Sequence, residues 1–301
     1  MSKEGRVGMG MEETVQAANA SLPAHNRRDV EASWQRCMEA GMEPGDDPDA
    51  QRVGGEELKA LYVEDARVRG LALAEMRILD EHLRQHGFTL TLANAGSVIL
   101  DRFPGWTGRS VRRDADELAP GNRWHEAARG TNAVGTAAHS KRPIVVVGKD
   151  HFLRTYANLI CIAMPVFNPS GDLAAVLDAT RHGGLGPREL NYVLGLMHMS
   201  AEHVETELFK EQHQSSLVVQ MIPMSRGAGG GTAALAFDEG GRLETVSRGA
   251  ASSLQDLDVR AGLEFGDIFR TDFRSLRRRI DWPVDFLDLE DLRGRRYQAT
   301  V

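Results

Sequence analysis

Between residues 143 and 180 three short apolar runs follow one another: PIVVV (143–147), ICIAMPVF (160–167) and LAAVLDAT (173–180). Each is rich in β-branched side chains and too short for a core helix, so each reads as a buried strand. NPSGD (168–172) supplies a turn between the second and third, and KDHFLRTYANL (149–159) joins the first two as a helical turn or short helix. Upstream, FTLTLANAGSVILDRF (88–103) sets apolar runs on either side of Asn94-Ala95-Gly96, the pattern of a β-hairpin. TNAVGTAAHS (131–140) fits a short helix with Thr131 or Asn132 as its N-cap. The order β-β-α-β-α-β-β predicts one antiparallel sheet with helices packed on it, an α+β domain.

The flanking segments are helical. VEASWQRCMEAGM (30–42) reads as a short helix, and GMEPGDDPDAQRVGG (41–55) breaks regularity. From Glu56 to about Gln85, Leu58, Leu61, Val68, Leu71, Met76, Leu79 and Leu83 recur mostly at helical steps until Gly87. Residues 188–222 read as a second long helix. Its Leu190, Leu194, Met197, Ala201, Val204 and Leu208 form a short heptad seam, suited equally to packing on its own domain or to a dimer. Charges at Met197 and Val204 would break such a dimer. SRGAGGGTA (225–233) begins like a dinucleotide fingerprint but follows a helix rather than a strand, and so reads as a linker. ALAFDEGGRLETVS (234–247) is a hairpin and RGAASSLQDL (248–257) is helical, which leaves a small second domain.

The 301 residues carry 42% hydrophobic and 26% charged residues and a formal net charge of −7, which argues against a whole-protein grip on nucleic acid or an anionic membrane. Two distant cysteines make no disulfide framework. No apolar run approaches the roughly 18–20 residues of a membrane span, and the first 25 residues lack a signal-peptide core. A cytoplasmic protein with a loose N-terminal tail is expected.

WHEAARGTNAVGTAAH (124–139) sits close to two known site patterns. Gly130, Gly135 and Thr136 have the skeleton of a phosphate loop, but the lysine is replaced by Thr136 and no strand precedes it. His125 and Glu126 begin a zinc-helix motif, but Arg129 stands where the second histidine belongs. His82 and His86 are four apart without a nearby third ligand and read as solvent-facing. His125, His139 and His151 share a region. Cys161 lies in an apolar strand and reads as a small buried hydrophobe, the alternative being a thiol nucleophile or redox sensor; Cys37 has less to recommend it. RSLRRR (274–279), flanked by Asp272 and Asp281, reads as a solvated helix face.

Several segments together resemble one family. SWQRCMEAGMEP (33–44), ILDEHL (78–83), SVILDRFPGW (97–106), NRWHEAARGTNAVGTAAHSKRPIVVVGKDHF (122–152) and CIAMPVFNPSGDLAAVLDAT (161–180) are similar to the sensory half of acetoin-catabolism-type, sigma-54-dependent transcriptional regulators. The resemblance implies a flexible tail (1–29), a GAF-like sensor domain (30–187), a connecting helix (188–224), a Gly-rich linker (225–231) and a PAS-like α+β domain (232–301). The family's ATPase and helix-turn-helix domains have no counterpart in this sequence, so ATP hydrolysis, sigma-54 contact and DNA binding are not carried over.

The resemblance further implies a ligand cavity flanked by the 124–139 segment. There Trp124, Glu126, Thr131, Asn132 and, on the facing strand, Cys161 are the candidate ligand-binding residues, with no catalytic residue, metal or cofactor. By the same analogy the ligand is acetoin, glycerol or a short alcohol. The heptad seam and the lack of an output domain lead to the expectation of a homodimer acting through a regulatory protein partner, and the acidic balance to no direct contact with nucleic acid or membrane. Two alternatives stand beside this reading: a constitutive adaptor with no ligand, and a redox enzyme using Cys161 or the histidines.

Overall fold

The computed structural model describes residues 22, 24–103, 116–224, 232–279 and 286–301. The chain divides into two compact units: the first runs to Phe167 and resumes over Leu173–Val204, and the second takes in Asn168–Asp172 and Glu205–Val301. Among the described residues no helix is long and apolar enough to cross a membrane.

The first unit is built on a five-stranded antiparallel sheet. Its strands are β1 (Thr89–Asn94), β2 (Ile99–Phe103), β3 (Ile144–Val147), β4 (Leu159–Phe167) and β5 (Leu173–His182), in the order β2-β1-β5-β4-β3. All three apolar runs are strands, and β4 is buried at every position. That explains its unbroken apolar sequence, since neither of its faces meets solvent. On one face α1 (Ala24–Glu39) and α5 (Ala133–Ser140) pack over a cluster that includes Ala93, Ile144, Val146, Cys161, Ala163 and Val176. Against β1, β2 and β5 lies α3 (Ala66–Leu83), whose Val68, Ala72, Met76, Leu79 and Leu83 are buried. β3 is an edge strand, and the Asn26 side chain of α1 closes that edge. Its amide donates to the Val145 carbonyl at 3.0 Å and its Oδ1 accepts from the Val145 N–H at 2.8 Å.

Three expectations need correction here. The first helix starts at Ala24, inside the stretch assigned to the tail, because Asn26 has a partner in β3. The helix expected over 56–85 is two, α2 (Gly55–Glu64) and α3, divided at Asp65, whose φ of −90° and ψ of 10° leave the helical range. α2 has no buried residue, so no core packing holds the two in line. KDHFLRTYANL forms two 3-10 turns, Gly148–Asp150 and Arg154–Tyr156.

The second unit holds another five-stranded antiparallel sheet: β6 (Leu217–Pro223), β7 (Ala233–Phe237), β8 (Leu243–Val246), β9 (Leu287–Glu290) and β10 (Arg296–Thr300), in the order β8-β7-β6-β10-β9. α7 (Arg248–Ser253) begins at Ser247, whose hydroxyl accepts from the Ala250 N–H, and a cluster of Phe237, Phe265, Phe269 and Tyr297 fills the core. The α+β class holds for both units.

The long helix expected to reach 222 stops earlier. α6 spans Pro187–Gln212, and LVVQMIP is the central strand β6. Its β-branched residues, with Val219 and Met221 buried at alternate positions, favour the pleat over the helix. The second sheet therefore needs residues well before 232. The seam residues Leu190, Met197, Ala201, Val204 and Leu208 are buried within the single chain. In α8 (Phe273–Arg279) Leu276 is buried while Arg274, Arg277 and Arg278 are exposed, as a solvated face requires. The Gly-rich 225–231 segment and the tail to residue 21 lie outside the described residues.

Candidate functional site

The GTN segment is a brace between backbone and helix. Gly130 has φ +62°, and a Cβ there would sit 2.8 Å from Phe152 Cβ, so both conformation and space demand glycine. Asn132, extended at φ −149° and ψ 161°, caps α5: its Oδ1 accepts from the Gly135 N–H at 2.8 Å. Its amide donates to the carbonyls of Trp124 at 3.0 Å and Gly130 at 2.8 Å. Gly135 lets the helix approach the preceding chain, because a Cβ would lie 2.5 Å from the Trp124 carbonyl oxygen. Thr131 Oγ1 meets Ser33 Oγ at 2.8 Å, and Ser33 meets Thr136 Oγ1 at 3.2 Å, a hydroxyl ladder tying α1 to α5.

Trp124 is buried with its indole N–H donating to the Glu117 carbonyl at 2.9 Å. Arg129, the residue that spoils the zinc pattern, lies over the Trp124 ring at 5.3 Å and donates to the Tyr156 hydroxyl at 2.9 Å. It is a buried structural cation, with Glu117 at 3.7 Å. Trp124, Thr131 and Asn132 therefore direct their polar atoms at the protein itself.

Glu126 has a different setting. It opens α4 (Glu126–Arg129) and lines a cleft of about 430 Å³. The walls are Arg36 and Cys37 of α1 with Ala40 just beyond its end, the hairpin turn Ala95–Ser97, His125 to Ala127, and Gly135, Ala138 and His139 of α5. Arg36 binds Glu126 with two hydrogen bonds of 2.7 Å each, Nε to Oε2 and Nη2 to Oε1. Burial pushes the Glu126 pKa up, but hydrogen bonds from Arg36, Ser33 and Thr136 outweigh it and hold the carboxylate below its usual value. Burial, with Arg123 nearby, lowers the His125 pKa and keeps the ring neutral. The cleft thus presents a self-neutralised ion pair, two imidazoles and small apolar side chains. The same burial pushes the Cys37 thiol up, away from the thiolate.

Cys161 belongs to a third group, on the sheet face beneath. Its Sγ lies 3.3 Å from His151 Nε2 and accepts from Thr180 Oγ1 at 3.1 Å. Thr180 Oγ1 also lies 2.9 Å from Asp178 Oδ2, which Thr91 reaches at 3.3 Å. His151 is buried, and burial lowers its pKa to about 4. An imidazole that weakly basic makes a poor base for a thiol, so the contact favours structure over nucleophilic chemistry.

The three histidines do not converge: His125 and His139 line the cleft, and His151 is in the core. His86 is not simply solvent-facing, since its Nδ1 lies 2.7 Å from Glu189 Oε1. Among the described residues no group of three or more His, Cys, Asp or Glu is placed to hold a metal. Sequence reasoning missed Arg36, Ser33 and Asp178. Ser33 and Cys37 stand four apart on α1 with Arg36 beside them, a polar stripe open to view, and Asp178 is an acid inside the apolar run LAAVLDAT.

The profile of the family described as "MimR, N-terminal domain" matches residues 11–194. The acetoin catabolism regulatory protein of Cupriavidus necator is 25% identical over 194 residues, covering 64% of this chain and 29% of its own length. The propane 2-monooxygenase operon transcriptional activator MimR of Mycolicibacterium smegmatis is 25% identical over 252 residues, 81% of this chain and 40% of its own. The chain thus spans well under half the length of either relative. Both relatives are named as regulators. The E. coli DhaR(N)–DhaL complex contains a chain of the same fold, with a TM-score of 0.54 and 17% identity over 90% of this chain and 98% of that one.

Proposed function

This chain belongs to the family of MimR N-terminal domains, and from that membership we propose that it is the ligand-sensing portion of a transcriptional regulator working in the cytoplasm. The observation that carries the reading is the cleft over Arg36 and Glu126. Its one ion pair is already neutralised, so it favours a small neutral polar molecule over an ion. Relatives named for acetoin and propane metabolism support acetoin, glycerol or a short alcohol as the ligand class. The first unit is read as GAF-like and the second as PAS-like. A ligand that prefers one arrangement of α1 against α5 would shift the balance between states and so alter contact with a regulatory protein. That the solved structure of like fold is a complex with DhaL supports such a partner. A homodimer would use a surface other than the heptad seam, whose residues apart from the half-buried Leu194 are buried.

Thermal unfolding against C2–C4 alcohols, diols and hydroxyketones tests the proposal. A compound that binds only the folded form adds about 2.7 kcal/mol at a hundred times its dissociation constant. The expected result is a concentration-dependent rise for at least one compound, diminished in Arg36→Ala. A flat panel overturns ligand sensing and favours a constitutive adaptor, a reading supported by the internal partners of Trp124, Thr131 and Asn132.

A further inference from the structure

Asp178 is an anomaly in the core. It is 2% exposed, on a strand whose neighbours are apolar, and it faces Thr91 of β1 and Ala163 of β4 in the sheet register. The next row pairs Thr180 with Cys161. By the alternation of the pleat these side chains share the face that carries Ala93, Ala163 and Val176. Both hydroxyl contacts of Asp178 go to Oδ2, and among the described residues Oδ1, fully buried, has no hydrogen-bond partner.

Counting hydrogens sharpens the point. His151 Nδ1 lies 3.0 Å from the Gly148 carbonyl, which only accepts, so Nδ1 carries the hydrogen. The ring is neutral, so Nε2 accepts and the Cys161 S–H points to it. Thr180 has a single hydroxyl hydrogen, available to Cys161 or to Asp178 but not to both. Oδ1 is unmet in either charge state of Asp178: ionised, it lacks a donor; protonated, its O–H lacks an acceptor. Burial pushes the Asp178 pKa up to about 7, with Thr180 and Thr91 pulling the other way and no charged neighbour contributing. Among the described residues nothing supplies the missing group, and buried polar atoms require one.

We propose that Asp178, with Thr91 and Thr180, forms an internal binding position for the hydroxyl of a small neutral alcohol or diol, separate from the cleft over Arg36 and Glu126. A hydroxyl both donates and accepts, so it satisfies Oδ1 in either state. In the sheet register Ala163 stands beside Asp178 and Ala93 one row away, opposite Val176, so the neighbours of the carboxyl on that side are small. An anion is disfavoured because no Lys or Arg contributes to the site. This position lies apart from the cleft but rests on the same proposed ligand class.

The test is thermal unfolding of the full chain, alone and titrated with propan-2-ol, propane-1,2-diol and butane-2,3-diol, in the wild type, Asp178→Val, Asp178→Asn and Arg36→Ala. The expected result is a rise in melting temperature in the wild type that is diminished in Asp178→Val, kept at least partially by Asp178→Asn, and partly retained in Arg36→Ala. Without any alcohol, Asp178→Val should melt no lower than the wild type, because an acid short of a partner does not hold the core together. If Asp178→Val alone melts well below the wild type and Asp178→Asn restores it, the carboxyl is a brace and the proposal falls. A rise that is undiminished in Asp178→Val but vanishes in Arg36→Ala overturns this position and leaves the cleft reading intact. If Asp178→Val melts no lower and no alcohol raises the wild type, Oδ1 holds a water only, and the proposal falls with the ligand class.

Discussion

Arg36 and Glu126, ninety residues apart in sequence, meet in two parallel hydrogen bonds of 2.7 Å at the rim of the cleft. Both side chains are largely withdrawn from solvent, at 30% and 12% exposure. Removing either one strands the other. Arg36→Met or Glu126→Leu alone should each destabilise by about 1–3 kcal/mol. The double variant should lose less than the sum, since replacing both charges leaves none unpaired. Urea denaturation of the four proteins measures the coupling, and strict additivity would show that the pair contributes nothing.

Asn132 makes three hydrogen bonds from one side chain. Asn132→Ala should therefore lose more than an ordinary cap, at least about 1–2 kcal/mol. Asn132→Asp keeps the oxygen that caps α5 but turns a second one toward the Trp124 and Gly130 carbonyls. It should not rescue the loss, and a melting curve equal to the wild type would contradict this geometry.

Two buried groups give stability a defined pH dependence. Asp178 is raised from 3.8 to about 7, so between those values the folded chain holds a proton that the unfolded chain has released. Its contribution is full below pH 3.8 and is lost as pH rises toward 7. His151 is lowered from 6.5 to about 4, so it acts with the opposite sign, adding stability as pH rises from 4 to 6.5. The two largely offset in the wild type. Asp178→Asn should expose the histidine's slope, with stability climbing between pH 4 and 6.5 in urea titrations. A profile unchanged from the wild type would sink the assignment.

Met197 is completely buried in α6. Met197→Glu should accordingly unfold the chain rather than separate one copy from another. Even Met197→Ala should cost about 2–5 kcal/mol. Denaturation and light scattering on the same samples separate the outcomes: a stable protein of halved mass would restore the dimer seam.

The strands, the hairpin at Asn94 and the cap at Asn132 are legible in the sequence because local chemistry decides them. Asn94 Oδ1 accepts from the N–H groups of Gly96 and Val98, and Asn168, Asp238 and Asp291 each accept from the i+4 N–H in three later hairpins. β6 reads as helix because Leu217, Val218 and Met221 continue a helical spacing from α6, and only the sheet they join sets the pleat. The break at Asp65 leaves no periodic trace. Glu126 can be seen as a carboxylate near a cleft, but its cation cannot, since nothing local links residues 36 and 126. Thr131 carries the same lesson in reverse: a hydroxyl aimed at a supposed cavity is met by Ser33 from a helix ninety-eight residues earlier.

The contact between Gly135 and the Trp124 carbonyl has a mechanical consequence. With no room there for a single methyl group, and with Asn132 pinning both sides, the start of α5 and the chain at Trp124 travel as one stiff piece. Strain applied at the cleft is therefore passed on to its other walls, α1 and the turn at Ala95–Ser97, instead of being absorbed within the GTN turn.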